Sequence, residues 1–96
     1  MFLLRRVAGD SMAPTLRAEQ LVLAVRFLPV RPGHVVVLRH DGIEKIKRVQ
    51  QVADGQIFVL GDNADCSTDS RNFGWLPYKA AVARVVLPRN MRSIAR

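Results

Sequence analysis

The stretch HVVVLRHDGIEKIKRVQQV, residues 34–52, decides the fold. Two β-prone runs flank Asp41-Gly42, a pair that readily takes the left-handed dihedrals of a two-residue hairpin turn. His34–His40 reads as a strand in which Val35–Leu38 is apolar enough to be buried on both faces. Ile43–Val52 reads as its partner. Alternation puts Ile43, Lys45, Lys47 and Val49 on one face, opposite Glu44, Ile46 and Arg48. Lys, Glu and Gln also favour helix, but Asp-Gly pairs at both ends, Asp41-Gly42 and Asp54-Gly55, favour a hairpin meander.

Working outward, Gln56–Leu60 is the next strand, ending at Gly61-Asp62-Asn63. Upstream, Gln20–Phe27 is a strand ended by Pro29, and Arg31-Pro32-Gly33 is the turn that follows. Downstream, Ala80–Leu87 is a last strand stopped by Pro88. Ala64–Tyr78 reads as an irregular loop whose backbone is served by short polar side chains. So long a loop in so small a domain marks function. The expected fold is mostly β, one compact domain of hairpins over residues 1–96, with a basic tail at 88–96 that frays from Asn90 onward.

Composition narrows the function. The chain has 96 residues, 49% of them hydrophobic, which fills one small core and excludes disorder. Net charge is +7, yet no four basic residues run together and no recognition-helix pattern accompanies them. The reading is a generally basic surface with no nucleic-acid partner; Arg89, Arg92 and Arg96 are the tail residues with an electrostatic role. A single cysteine, Cys66, excludes an internal disulfide and a multi-cysteine metal centre, and its neighbourhood offers no His that would make it a nucleophile. His34 and His40 lack the companions a zinc site needs. No stretch approaches the roughly 20 apolar residues of a membrane span, and MFLLRR is too short for a signal-peptide core. The expectation is a soluble, cytoplasmic chain.

Three segments carry chemistry. Gly9-Asp10-Ser11-Met12, stiffened by Pro14, places a serine in a tight turn with amide N–H groups able to face a reacting oxygen. Alone this is also an ordinary polar turn. Lys47 stands mid-strand among Ile46 and Val49, where lost hydration lowers a lysine pKa and frees a general base. Lys45, two residues away on the same face, is the rival, and either can be a solvated strand lysine. Residues 61–74 supply carboxylates, hydroxyls and Arg71 for a buried hydrogen-bond network. Asp62, Asp65 and Asp69 could alternatively ligate calcium, although the EF-hand spacing is missing.

In this order the three segments resemble the signal peptidase I-type serine peptidases, which use a Ser–Lys dyad. Gly-Asp-Ser-Met-Ala-Pro-Thr-Leu is similar to the nucleophile motif, Lys47-Arg48-Val49 to the base motif, and Gly61-Asp62-Asn63 through Ser67-Thr68-Asp69-Ser70-Arg71 and Phe73-Gly74 to the closing motif. The likeness spans about residues 7–87 and implies that family's barrel-like catalytic core. It implies Ser11 as nucleophile, Lys47 as base, Ser67 as the hydroxyl that orients the amine, and an Asp69–Arg71 brace. Asp62 and Asn63 would form the Gly-Asp-Asn turn. Gly9, Asp10 and Met12 would frame an oxyanion hole that includes the Ser11 N–H, with no side-chain donor at Gly9. No metal or cofactor is implied.

The short spacing between Lys47 and Gly61, and the lack of an anchor before Val7, are most similar to the nickel-type superoxide dismutase maturation proteases. The expected partner is a precursor protein whose amino-terminal extension binds in extended form and is removed. A general signal peptidase-like protease, a non-catalytic peptide-binding module, and a fragment of a self-cleaving DNA-damage repressor are the alternatives. The repressors lack the closing loop present here.

Overall fold

A computed structural model describes residues 1–91 of the chain. The hairpin around Asp41-Gly42 forms as the sequence predicts. Strands β3 (Val35–His40) and β4 (Ile43–Ala53) pair antiparallel, with Val37 opposite Ile46 and His40 opposite Ile43. Asp41 and Gly42 take φ of 52° and 75°, the left-handed values a two-residue turn demands. For numbering, β1 is Phe2–Arg6, β2 Leu21–Val25, β5 Gln56–Leu60, β6 Leu76–Pro77 and β7 Ala81–Leu87.

All seven strands join one antiparallel sheet in the order β1-β2-β7-β3-β4-β5-β6. The last long strand, β7, lies between β2 and β3, so the architecture is more than a succession of hairpins. Strand β3 is the centre. Val35 and Val37 face one core with Met12, Leu16, Val22 and Val85, while Val36 and Leu38 face a second with Val49, Ile57, Val59 and Leu76. Its continuous apolar run is therefore covered on both sides, as expected for a central strand.

Strand β4 is long enough to serve two neighbours in turn. Ile43–Arg48 pair with β3, and from Arg48 onward the strand pairs with β5. On the β5 side, residues Ile43–Lys47 keep an unpaired edge.

One strand was not foreseen and two expectations are corrected. Residues 2–6 form strand β1, which the sequence did not reveal because its inward positions are Leu3 and Arg5 rather than two apolar residues. Arg5 is held there by Glu44 at 2.6 Å. Residues 64–78 are ordered rather than irregular: a 3-10 turn at Ala64–Cys66, the short helix α1 (Ser70–Phe73), strand β6, and a second 3-10 turn at Tyr78–Ala80. Helix α1 exists because Asp69 caps it in a reciprocal box with Asn72. The tail is not frayed at its start, since Met91 packs against the first core and its carbonyl accepts from Arg48. Arg92, Arg96 and the remaining tail lie outside the described residues.

Candidate active site

Ser11 stands on the long connection between β1 and β2. The base of that loop is closed by Val7 N–H donating to Gln20 O at 2.8 Å and Glu19 N–H donating to Val7 O at 2.7 Å. Within it, Gly9 turns the chain at φ 75°, and Ser11–Thr15 coil into a helical turn with Leu16 N–H donating to Met12 O at 2.9 Å. Burial of Met12 and Leu16 in the first core fixes that turn. The serine is half-buried, and its position follows from the two apolar residues that flank it.

Gly61-Asp62-Asn63 grips this loop from the far side. Asn63 N–H donates to the Ser11 carbonyl at 2.8 Å, and Asn63 Nδ2 donates to Asp10 O at 3.1 Å. The Asp62 carboxylate accepts from Thr15 Oγ1 at 2.6 Å and from Arg48 Nε and Nη2, both at 2.8 Å. One buried carboxylate thus ties the Ser11 loop to β4. Gly61 has no room for a side chain: a Cβ there would stand 2.2 Å from Ser67 Oγ and 2.6 Å from Ser11 O.

Lys47 is 5% exposed, on the face of β4 turned toward the second core. Its Nζ donates to Ser67 Oγ at 3.2 Å, and Ser67 Oγ donates to Asp69 Oδ2 at 2.7 Å. Asp69 is fully buried. It also accepts from Gly61 N–H at 2.8 Å, from the Arg71 backbone at 3.1 Å, and from Arg71 Nε and Nη2 at 3.0 and 2.7 Å. Burial alone would raise the Asp69 pKa. The bonds from Arg71, Gly61 and Ser67 outweigh it and hold the carboxyl well below the usual range. Asp69 therefore remains an acceptor, the Ser67 hydroxyl proton is committed to it, and the Ser67 oxygen must accept from Lys47.

Burial lowers the Lys47 pKa. The charges of Lys45 and Arg71 push the same way, against an opposing pull from Asp69. Ser11, Lys47, Lys45, Ile46 and Val7 line one small cavity of about 130 Å³. Within it Lys47 holds Ser67 and makes no hydrogen bond to Ser11 among the described residues. The Ser11 N–H and hydroxyl likewise have no hydrogen-bond partner among them. Lys45 is engaged elsewhere, its Nζ 4.7 Å from the centroid of the Phe73 ring.

The structure thus links Lys47, Ser67, Asp69 and Arg71 in one hydrogen-bonded chain and sets Ser11 and Lys47 on one cavity, with Gly9, Asp10, Met12, Asp62 and Asn63 in or against the serine loop. The calcium alternative finds Asp62 and Asp69 already saturated by guanidinium, hydroxyl and amide donors. Cys66 is exposed on its 3-10 turn. Sequence reasoning missed Thr15, Arg48 and the steric role of Gly61. Arg48 sits beside Lys47 in the base motif, but its pairing with Asp62 depends on the β4–β5 register, which composition does not encode.

The comparison with known proteins assigns the family. Residues 39–89, more than half of the chain, match the model of the signal peptidase, peptidase S26 family, and the chain belongs to that family. The matched segment contains Lys47, Ser67, Asp69 and Arg71; Ser11 precedes it. The chain is also similar to mitochondrial inner membrane protease subunit 1 of Xenopus tropicalis, 28% identical over an alignment 107 positions long that takes in 83% of this chain and 64% of the relative. No helix among the described residues is long and apolar enough to cross a membrane.

Proposed function

We propose that this chain is a serine endopeptidase with a Ser11–Lys47 dyad that removes an amino-terminal extension from a precursor protein. The observation that carries the reading is the ordered chain Lys47–Ser67–Asp69–Arg71, whose Lys47 end lines the cavity that holds Ser11. A neutral Lys47 gives one N–H to Ser67 and keeps its lone pair for the Ser11 hydroxyl proton. Ser11 Oγ attacks the scissile carbonyl, and the Ser11 N–H stabilises the oxyanion, an effect of about 3–4 kcal/mol per donor in a studied protease. The lysine returns its proton to the leaving amine. Water, deprotonated by the same amine, then hydrolyses the acyl-enzyme. Substrate pairs as an added strand with the unpaired edge of β4 at Ile43–Lys47, which runs past the cavity.

The short segment between Lys47 and Gly61 supports the nickel-type superoxide dismutase precursor as substrate. Similarity to a subunit of an inner membrane protease supports a second reading, a general processing peptidase working at a membrane. Incubation with the dismutase precursor and with a generic signal-peptide substrate, read by intact mass beside Ser11→Ala, separates them. Loss of a defined extension from the dismutase precursor only with wild type establishes the first. Cleavage of the signal peptide alone establishes the second. Silence on both leaves a non-catalytic peptide-binding module.

A further inference from the structure

Acidic residues are unevenly distributed along the chain. Residues 20–40 and 70–96 contain no aspartate or glutamate, yet they carry Arg26, Arg31, Arg84 and Arg89 among their cations. The topology brings these two stretches together, because β7 lies between β2 and β3. Arg84 is at the junction, opposite Val25 on one side and Val36 on the other. The fold therefore collects guanidinium groups on one end of the sheet with no carboxylate from those strands to offset them.

Two adjoining grooves open there, and neither shares a residue with the Ser11 cavity. One, of about 600 Å³, is lined by His34, Arg48, Arg84 and Arg89 and by no acidic residue. Arg48 is already neutralised by Asp62, whereas Arg89 is exposed and Arg84 spends only Nη1, on Pro29 O at 2.8 Å. His34 accepts the Arg31 N–H through Nδ1 at 3.0 Å, which leaves Nε2 as a donor. Burial lowers its pKa, and the charges of Arg84 and Arg31 lower it further, so both guanidinium fields converge on the ring. The second groove, about 560 Å³, is mainly apolar, with Leu28, Pro29, Val30 and Tyr78 in its wall. At its rim Phe27 is 84% exposed and sits at φ 67°, a conformation that costs an aromatic residue on the order of 1 kcal/mol or more. The Arg84–Pro29 bond joins the two grooves.

We infer that this end of the sheet is a docking site for an acidic protein segment, with carboxylates in the Arg84–Arg89 groove and an apolar side chain against Phe27 and Pro29. Charge complementarity selects the occupant. The unoffset cations are few and are separated by apolar surface, which suits alternating acidic and apolar side chains better than the regular phosphate row of a nucleic acid. The site is independent of the dyad, so it holds whether or not Ser11 cleaves anything.

The test is fluorescence anisotropy of a labelled glutamate-rich peptide carrying leucine, added to the full-length Ser11→Ala protein. Controls are the same peptide with glutamine for glutamate, an oligoadenylate and anionic vesicles. Arg31→Glu/Arg89→Glu changes two side chains that make no hydrogen bond among the described residues, and Arg17→Glu, at a residue that lines neither groove, is the charge control. The expected result is salt-sensitive binding of the glutamate peptide alone, weakened about tenfold or more by the double variant and less than about twofold by Arg17→Glu. Equal binding of the glutamine peptide, tighter binding of the oligoadenylate or vesicles, or equal loss with Arg17→Glu would overturn the proposal. Peptidase assays on the same variants with Ser11 restored keep the two readings separate: loss of docking with cleavage of a short peptide intact bears on this site alone.

Discussion

Replacing Asp69 by Asn tests the network at its most heavily used point. Oδ2 of Asp69 receives Gly61 N–H, Ser67 Oγ and Arg71 Nη2, and Oδ1 receives Arg71 N–H and Nε. A carboxylate can accept all five. An amide has one accepting oxygen, and its NH2 group would meet two or three donors head-on. The Arg71 side chain is 42% exposed, so its share is screened by solvent, and the buried bonds to Gly61 and Ser67 dominate. Removing one partner from a buried charged cluster costs about 3–5 kcal/mol, against a total of about 5–15 kcal/mol for a domain. At about 4–8 °C per kcal/mol for a chain of this size, melting should fall by at least about 12 °C at neutral pH. The sign with pH follows from the depressed carboxyl. Its contribution is fully present above the unfolded value of 3.8 and is lost as pH falls toward the folded one. Wild type and Asp69→Asn should therefore converge on acidification. Melting curves for both proteins from pH 7 to pH 3 decide it: a gap of a degree or two at neutral pH, or one that does not narrow in acid, refutes the reasoning.

Other consequences can be measured in the same way. Because burial and the Lys45 charge lower the Lys47 pKa, kcat/KM should rise with pH through that depressed value, and Lys45→Met should move the rise to higher pH; an unmoved or flat profile contradicts this. Gly61→Ala forces a methyl group against Ser67 and the Ser11 carbonyl, at a cost of about 1–3 kcal/mol, and should depress both melting temperature and activity. Melting at the wild-type temperature would remove the steric role. Arg71→Ala should lower thermal stability as well as rate, and unchanged melting would mean that the guanidinium does not brace Asp69.

Much of this arrangement was legible before any coordinates. Asp41-Gly42 and the run from Val35 to Leu38 announce a central hairpin because turn chemistry and burial on both faces are local properties. The three site segments were legible only in conjunction, through their resemblance to a family's motifs; each alone also reads as a polar turn, a solvated strand lysine or a polar loop. What stayed hidden depends on register and on long-range partners. Strand β1 carries Arg5 rather than an apolar residue at an inward, partly exposed position, where it pairs with Glu44. Residues 70–73 become a helix through an Asp69–Asn72 box that serves the carboxylate network as well as the backbone. Arg48 and Thr15 acquire a role only when β4 and the Ser11 loop converge on Asp62. Lys45 and Lys47 share a strand face in the sequence, and only the fold places Phe73 beneath one and Ser67 beside the other.

The most direct test of the central claim is cleavage of one fluorogenic precursor-junction peptide by wild type, Ser11→Ala and Lys47→Met, with folding of each variant checked by its melting curve. The account requires cleavage by wild type and a loss of about a thousandfold or more in both variants, each still folded. Folded Ser11→Ala or Lys47→Met protein that cuts at a rate near wild type would show that the chemistry lies elsewhere.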